Sequence, residues 1–495
     1  MQDVSLPKEV KGVLEKLHKV GFEAYVVGGC VRDLLLGKEP EDWDVATNAT
    51  PEEVQKIFPR TFYKNKFFTV TVLTDSKDPK LGQIEVTAFR SEFEYEDRRR
   101  PSRVEPAKTI EEDLSRRDFT INAMALRAGT GKLSLVDPYD GQKDLKKKIV
   151  RCVGNPKERF EEDALRLMRA VRFAATLGFS IEQETLEALR SQAHLLKDIS
   201  KERIRDEFSK ILMADPPASE AGKAQEGIEQ LRETTLLEHI VPELLEGYGV
   251  AQNKHHIYTV WEHQVRSLAY AAKQKWSLEV RLASLLHDVA KPRAKRGEGP
   301  DSTFYNHDAI GGRMANDILT RLKFSRNTTD YVAMLVRYHM FYYNAGEVSE
   351  SSVRRLLRKV GPEHIEDLLK VRMADRIGSG VPKAEPYKLR HLRYAIEKVS
   401  KDPLSPKMLA LKGNDIMDIL SIPPGPKVGQ ILAVVLAEVL EDPARNSKET
   451  LETRIRELGK LDAAELFRLA KDSERTVEVV EIKLDNMVKQ KYWIT

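Results

Sequence analysis

Two hydrophobic periods organise the chain, a strand-like one near its start and a helical one over most of the rest. Val10, Val13, Leu14, Leu17 and Val20 recur at helical spacing and predict a leading amphipathic helix packed beneath the first strand. That strand is the apolar run Ala24 to Val27, closed by Gly28-Gly29 and followed by a short helix and a second strand carrying Asp42 and Asp44. In TPEEV, Thr50 is a cap, Pro51 the first helical residue and Glu53 the partner in a capping box, so a helix runs to about Phe58. Phe68 to Leu73 and Gln83 to Ala88 alternate like strands of a half-buried sheet. Between Arg90 and Asp113 the density of charge masks either period, which predicts a mobile loop.

Further on, Asn155-Pro156 opens and Gly178 closes one continuous helix, with Ala164, Leu165, Met168, Val171 and Ala175 as its apolar stripe. A second, basic helix, KERIRDEFSKIL, follows the cap Ser200. From about Ile257 amphipathic helices succeed one another, and after a linker near residue 405 the remainder is helical.

At 495 residues the chain exceeds a single core, and roughly three or four domains are expected. A charged fraction of 32% with 7% aromatics suits a helical protein better than a sandwich or barrel. The net charge of +4 is mild, so RNA contact would have to come from local basic faces. The start MQDVSLPKEV lacks the apolar core of a signal peptide and no later run could span a bilayer, so no membrane is implied and the cytoplasm is the expected compartment. Cys30 and Cys152 provide neither a disulfide framework nor a cysteine cluster for zinc.

The densest chemistry lies early. Backbone amides at the Gly28-Gly29 turn, opening a helix, suit phosphate oxygens, and Arg32 one turn on can fork onto the same phosphates. Asp42 and Asp44, two apart, leave one face of a strand while Trp43 leaves the other, which makes a magnesium site. Glu85 reads first as a solvated sheet residue and second as a third metal carboxylate. The basic cluster Arg98, Arg99, Arg100 and Arg103 either meets phosphates or is part of a solvated tether. These residues resemble the signature of the polymerase-β-like nucleotidyltransferases, specifically the class II CCA-adding tRNA nucleotidyltransferases and the related bacterial poly(A) polymerases.

The resemblance continues along the chain. SRRDFTINAMAL holds Arg117 and Asp118, which match the family's RRD motif, associated with the triphosphate and the ribose 2′-hydroxyl. Glu162, Asp163 and Arg166 match its EDxxR motif. A carboxylate accepts from the exocyclic amine of cytosine or adenine and an arginine donates to the acceptor beside it, while uracil and guanine present a carbonyl instead. One helix face could therefore select C and A without a template; read without the family, the same pair is a surface salt bridge. The resemblance also assigns nucleotide contacts to Arg169 and Arg172, although steps of about 60° per three residues turn Arg172 nearly opposite Asp163. In the family the segment with Arg203 and Glu207 braces the base-reading helix.

His263, the doublet His287-Asp288, and Asp375 supply imidazole and carboxylate in an order that resembles the HD phosphohydrolase superfamily. His307 and His339 would complete the set seen in dinuclear members, with a divalent transition metal implied. Together the resemblances imply an α+β fold: a nucleotidyltransferase head with a small mixed sheet (1–150), an all-α neck with the base-reading helix (151–250), an HD metal-binding domain (251–400) and a helical C-terminal RNA-binding region and tail (401–495). They imply addition of CCA to the tRNA 3′ end from CTP and ATP with Mg2+, and no obligate protein partner. A poly(A) polymerase or an enzyme adding only C or only A satisfies the same base-reading pair. An HD hydrolase with an inactive head is the alternative of a different class, and the intact head motifs weigh against it.

Overall fold

The computed structural model describes residues 5–64, 68–96, 100–128, 133–215, 222–253, 257–341, 343, 350–400 and 409–492. The chain divides into two compact units, Met1–His339 with Lys370–Pro382, and Met340–Leu369 with Lys383–Thr495. The expected 251–400 segment is thus shared between them.

The first unit opens on α1 (Lys8–Lys19), whose buried Val10, Val13, Leu14 and Leu17 form the predicted stripe against β1 (Ala24–Val27), while Val20, the fifth expected member, caps the helix and is exposed. α2 (Gly29–Leu35), β2 (Asp44–Thr47) and α3 (Pro51–Ile57) follow, the last with the Thr50–Glu53 capping box complete. β3 (Thr61–Lys64), β4 (Thr69–Leu73), β5 (Gln83–Ala88), β6 (Arg90–Glu96), β7 (Arg100–Pro106), β8 (Ala125–Ala128) and β9 (Leu133–Val136) complete the strands of the head. Seven of them form one sheet in the order β3-β4-β5-β2-β1-β8-β9, in which β2 and β5 are parallel and the other neighbours antiparallel. Val26, Val45 and Val86, on three adjacent strands, are fully or almost fully buried.

β6 and β7 correct the predicted loop: they pair as an antiparallel ribbon, Glu92 opposite Val104 and Phe93 opposite Arg103. The run Glu92-Phe93-Glu94-Tyr95-Glu96 alternates with period two, a strand signal that the density of charge concealed. Arg100 and Arg103 lie on β7, while Arg98 and Arg99 fall outside the described residues. The end of the predicted loop is helical, α4 (Ile110–Ser115). A 3-10 turn at Thr120–Asn122 and α5 (Gly141–Lys147) then lead out of the head.

The expected continuous helix is two, α6 (Pro156–Glu162) and α7 (Leu165–Leu177), broken at Asp163 (φ −140°, ψ 100°). Asp163 stops the first and serves the second, since its Oδ1 accepts from the amide of Leu165 at 3.1 Å, the role aspartate favours at a helix start. α8 (Gln183–Gln192), α9 (Lys201–Leu212) and α10 (Lys223–Glu233) pack the neck, with α7 lying against α9 and α10. Two single turns, α11 (Leu237–Ile240) and α12 (Pro242–Leu245), precede α13 (Val260–Lys273), α14 (Leu278–Leu286), α15 (Lys291–Ala294), α16 (His307–Arg321) and α17 (Arg326–Tyr338). Fully buried Arg281 on α14 donates to the carbonyls of Trp276 and Leu212 and to Asp215 at 2.5–2.9 Å, which ties α14 to the end of α9.

In the second unit, α18 (Glu350–Val360) precedes α19 (Ile365–Gly378), whose later residues belong to the first unit. α20 (Tyr387–Ser400), α21 (Gly413–Leu420), α22 (Pro426–Glu441), α23 (Lys448–Gly459) and α24 (Ala463–Lys491) follow, around a core that includes Ile416, Ile431, Val435, Leu451, Ile455 and Leu466. Among the described residues no helix is long and apolar enough to cross a membrane.

Gly141 marks the tightest join in the head. A Cβ there would overlap the carbonyl oxygen of Thr120 and approach the Met124 side chain at 2.9 Å. Gly12, inside α1, has open space instead. Gly141→Ala is therefore expected to destabilise the protein by about 1–3 kcal/mol and Gly12→Ala to stabilise it by roughly 0.5–1 kcal/mol, opposite shifts that denaturant melts of the two variants will read.

Candidate active site and metal centre

Val27, the last residue of β1, pairs with Asp44, and Asp44 in turn pairs with Glu85 on β5. The turn after β1 and the start of β2 therefore meet at one end of the sheet. Gly28 adopts φ +82° there, a conformation side chains resist. A Cβ on it would lie 3.0 Å from Nη1 of Arg117 and 3.3 Å from Oδ2 of Asp44, so the glycine lets a guanidinium and a carboxylate share the turn. Burial, then the neighbouring Asp42 carboxylate, pushes the Asp44 carboxyl up to about 6 against the pull of Arg117. Hard oxygen donors whose mutual repulsion a cation would relieve fit magnesium, and Glu85 places a third carboxylate on the adjoining strand. The spacing rule needs one correction: β2 begins at Asp44, and exposed Asp42 stands before it. β1 turns away at Gly28, so Asp42 has no partner on that side.

Guanidinium–carboxylate pairs extend from this turn. Buried Asp113 accepts from Nε and Nη2 of Arg116 and from Nη2 of Arg117 at 2.6–3.1 Å, which steers Arg117 toward Gly28. Arg32, on α2, gives Nε and Nη2 to Asp33 at 2.9 Å each and Nη1 to Asn122 at 2.8 Å, so the fork expected on phosphate is held by Asp33. Asp118 is enclosed too: its oxygens accept from the Phe119 amide (2.8 Å), Asn122 (3.2 Å) and Nε and Nη2 of Arg169 (2.7 and 2.5 Å). Burial alone would raise the Asp118 carboxyl, but the charge and hydrogen bonds of Arg169 hold it down at about 2.

In the neck, both Nη atoms of Arg203 grip Asp163 at 3.1 and 2.7 Å, while Nη1 of Arg166 donates to Glu162 at 2.6 Å and its Nη2 to the carbonyl of Arg116 at 2.9 Å. Asp163 thus sits at the helix break and Arg166 in the first turn of α7, each with its own partner. Arg172 gives Nε to buried Glu207 at 2.5 Å. The bracing expected of Arg203 and Glu207 is visible as these two bonds.

A second cluster forms in the same unit. His263 on α13, His287 and Asp288 after α14, His307 opening α16, His339 after α17 and Asp375 on α19 are all buried and converge. Oδ2 of Asp288 lies 3.0 and 3.3 Å from Nε2 of His263 and His287, and Oδ1 lies 3.4 and 3.7 Å from Nε2 of His307 and His339. Oδ1 of Asp375 is 3.4 Å from Nε2 of His263. Nδ1 of His287, His307 and His339 each lies 2.6–2.8 Å from a backbone carbonyl three residues earlier, the second bond that turns each Nε2 inward. Oδ1 of Asp288 and Nε2 of His307 are buried without a hydrogen bond. Orphaned donor atoms of this kind fit a divalent metal, and the geometry separates into two triads, His263–His287–Asp288 and Asp288–His307–His339.

Several contributors were not anticipated. Asp113 was legible in principle, because EDLSRR places it three and four residues before Arg116 and Arg117 on a helix. Thr120 donates to buried Asp144, which also takes Nε of Arg151, and this supports the Asp118 loop. Lys291, three residues after Asp288, brings Nζ to 2.6 Å from its Oδ2. Gln252, which accepts from Lys291 at 2.6 Å, has no sequence signal at all.

A mixed sheet that presents carboxylates beside a glycine turn and an arginine defines the class, a nucleotidyltransferase head of the polymerase-β-like type. Comparison with known proteins agrees. Residues 24–151 match the family model for the poly A polymerase head domain, 178–247 that for a probable RNA and SrmB-binding site of polymerase A, and 307–455 that for a putative tRNA nucleotidyltransferase domain 2. The chain is 34% identical to the CCA-adding enzyme of Enterococcus faecalis over 446 residues, 90% of this chain and 94% of that protein. It is 45% identical to that of Ligilactobacillus salivarius over 239 residues, a match covering 48% of this chain and about half (55%) of the relative. The solved Bacillus stearothermophilus CCA-adding enzyme in complex with CTP superposes with a TM-score of 0.59 at 28% identity, covering 91% of this chain and 98% of that one. The chain belongs to the CCA-adding enzyme family.

The Asp118–Arg169 pair has a pH signature. A carboxyl held at about 2 in the fold stabilises it once the unfolded chain is ionised, above about pH 4, and the contribution is lost as pH falls toward 2. Asp118→Asn is expected to lower stability by about 2 kcal/mol at pH 7. The gap should close between pH 4 and pH 2 in matched denaturant titrations; a gap that stays constant to pH 2.5 would contradict the pairing.

Proposed function

We propose that the protein completes the 3′ end of tRNA, adding C, C and A from CTP and ATP without a template, in the cytoplasm. The observation that carries this reading is the meeting of Asp44, Asp42 and Arg117 at the Gly28 turn, in a chain that aligns with a CCA-adding enzyme over 94% of that protein's length. Asp42 and Asp44 hold Mg2+, with Glu85 beside them. When bound, the metal would favour ionisation of the RNA 3′-hydroxyl and offset the charge of departing pyrophosphate. Arg117 and the amides of Gly28 and Gly29 hold the triphosphate, with Arg32 lending charge from its place against Asp33. Asp118 orients Arg169 and the Asn122 loop toward the ribose. Asp163, its carboxylate held by Arg203, accepts from the exocyclic amine shared by cytosine and adenine, and Arg166 donates beside it. Arg172 and Glu207 brace the helix behind them.

This base-reading pair suits polyadenylation or addition of C or A alone equally well, so the test must count residues. Purified protein is offered tRNA lacking its 3′ end, with labelled CTP and ATP separately and together. Three additions followed by arrest support CCA synthesis; a growing A ladder on any RNA means a poly(A) polymerase. Asp42→Ala is expected to reduce addition by on the order of 10³-fold or more, with folding unchanged by circular dichroism.

A second activity is favoured by the buried cluster around Asp288. Five residues whose donor atoms gather as two triads, with Asp375 beside them, support a divalent transition metal and hydrolysis of phosphate esters. Asp288→Ala is expected to abolish phosphatase or cyclic phosphodiesterase turnover while sparing nucleotide addition; survival of both activities would overturn the ligand assignment.

A further inference from the structure

The charge of the second cluster is already balanced before any metal enters. Counted with the imidazoles in the neutral form that ligates a metal, its two anions are Asp288 and Asp375. Each carries a cation of its own: Nζ of Lys291 lies 2.6 Å from Oδ2 of Asp288, and Nη1 of Arg372 lies 2.5 Å from Oδ2 of Asp375. Lys291 is a buried residue, held in place on two further sides. It donates to Oε1 of Gln252 at 2.6 Å and lies 5.7 Å from the centre of the Phe304 ring. Gln252 is itself fixed, since its amide nitrogen donates to the carbonyls of Tyr258 and Thr259 at 3.1 and 3.4 Å. Phe304 is anchored through its carbonyl, 2.6 Å from Nδ1 of His307. The ammonium is therefore built into the site and faces the oxygen that completes the His263–His287 triad.

We propose that Lys291, seconded by Arg372, acts as an internal counter-cation that weakens metal binding at this centre, so that it loads and releases a divalent ion reversibly as free metal changes. A site that presented the two carboxylates alone would attract a dication with two full charges. Here the incoming ion meets a cluster of zero net charge and, on the Oδ2 side, an ammonium that cannot move away without giving up Gln252 and Phe304. Like charges a few ångström apart in a dry site repel strongly. Nucleotide addition at the head has no part in this device, which would make the hydrolytic activity responsive to the supply of its own divalent ion, separately from the Mg2+ of the head.

The inference rests on the reading of this cluster as a metal centre, and one experiment separates the two. The full-length protein, freed of metal with a chelator, is titrated with Co2+ and binding is followed by the visible absorption of histidine-coordinated cobalt and by calorimetry. Wild type, Lys291→Met, Lys291→Arg, Arg372→Met and Asp288→Ala are compared, with thermal melts to establish folding. Lys291→Met is expected to bind at least tenfold more tightly and Arg372→Met to shift the same way by less, while Lys291→Arg, which keeps the charge, stays within a few-fold of wild type. Equal or weaker binding by a folded Lys291→Met would overturn the counter-cation role while leaving the metal centre intact. Cobalt absorption that is absent from wild type, or unchanged in Asp288→Ala, would instead overturn the metal centre itself.

Discussion

A carboxylate taken out of water needs a cation, and this requirement runs through the first unit from the head to the histidine–aspartate cluster around Asp288. Asp113, Asp118, Glu207 and Asp288 are all buried, and each has a guanidinium or ammonium against it. Breaking one such pair strands a charge in a dry interior, which costs far more than the pair contributes over an apolar substitute. The pairs are therefore obligatory once formed. Their consequence is orientation: Arg117 is aimed by Asp113, Asp163 is gripped by Arg203, and Arg169 is anchored on Asp118.

The Gly28 turn is the exception that makes chemistry available. The Asp44 carboxyl has neighbours of its own sign, and burial with Asp42 pushes it up to about 6 when a paired carboxylate would be pulled down. Contrast with Asp118, held at about 2 a short distance along the chain, separates the group that awaits a cation from the group that already has one. A template-free polymerase needs both kinds, because selection of the base depends on rigid donors and acceptors while transfer depends on charge that can be neutralised on arrival of metal and nucleotide.

The cluster around Asp288 uses the same physics differently. Backbone carbonyls three residues upstream fix the tautomers of His287, His307 and His339 with the Nδ1 atoms, so no side chain has to be spent on orienting them. Helix ends supply those carbonyls, which explains why His287 and His339 directly follow α14 and α17.

Periodicity and motif order by themselves determined the leading helix, the strands β1, β4 and β5, the Thr50 cap, the stop at Gly178 and the residues that gather at the Gly28 turn and around Asp288. Those features are local: an apolar stripe, a capping box or a glycine at positive φ acts within a few residues, and the chemistry of a side chain travels with its name. Only the tertiary structure decided who faces whom. The break at Asp163 depends on Arg203 forty residues away, the pairing of Arg172 with Glu207 on how α7 meets α9, and the place of Gln252 beside Lys291 on a contact with no sequence period. The β6–β7 ribbon was missed because charge density outweighed a five-residue alternation. Long-range pairing is set by which buried charges can reach one another, and linear spacing carries no record of that distance.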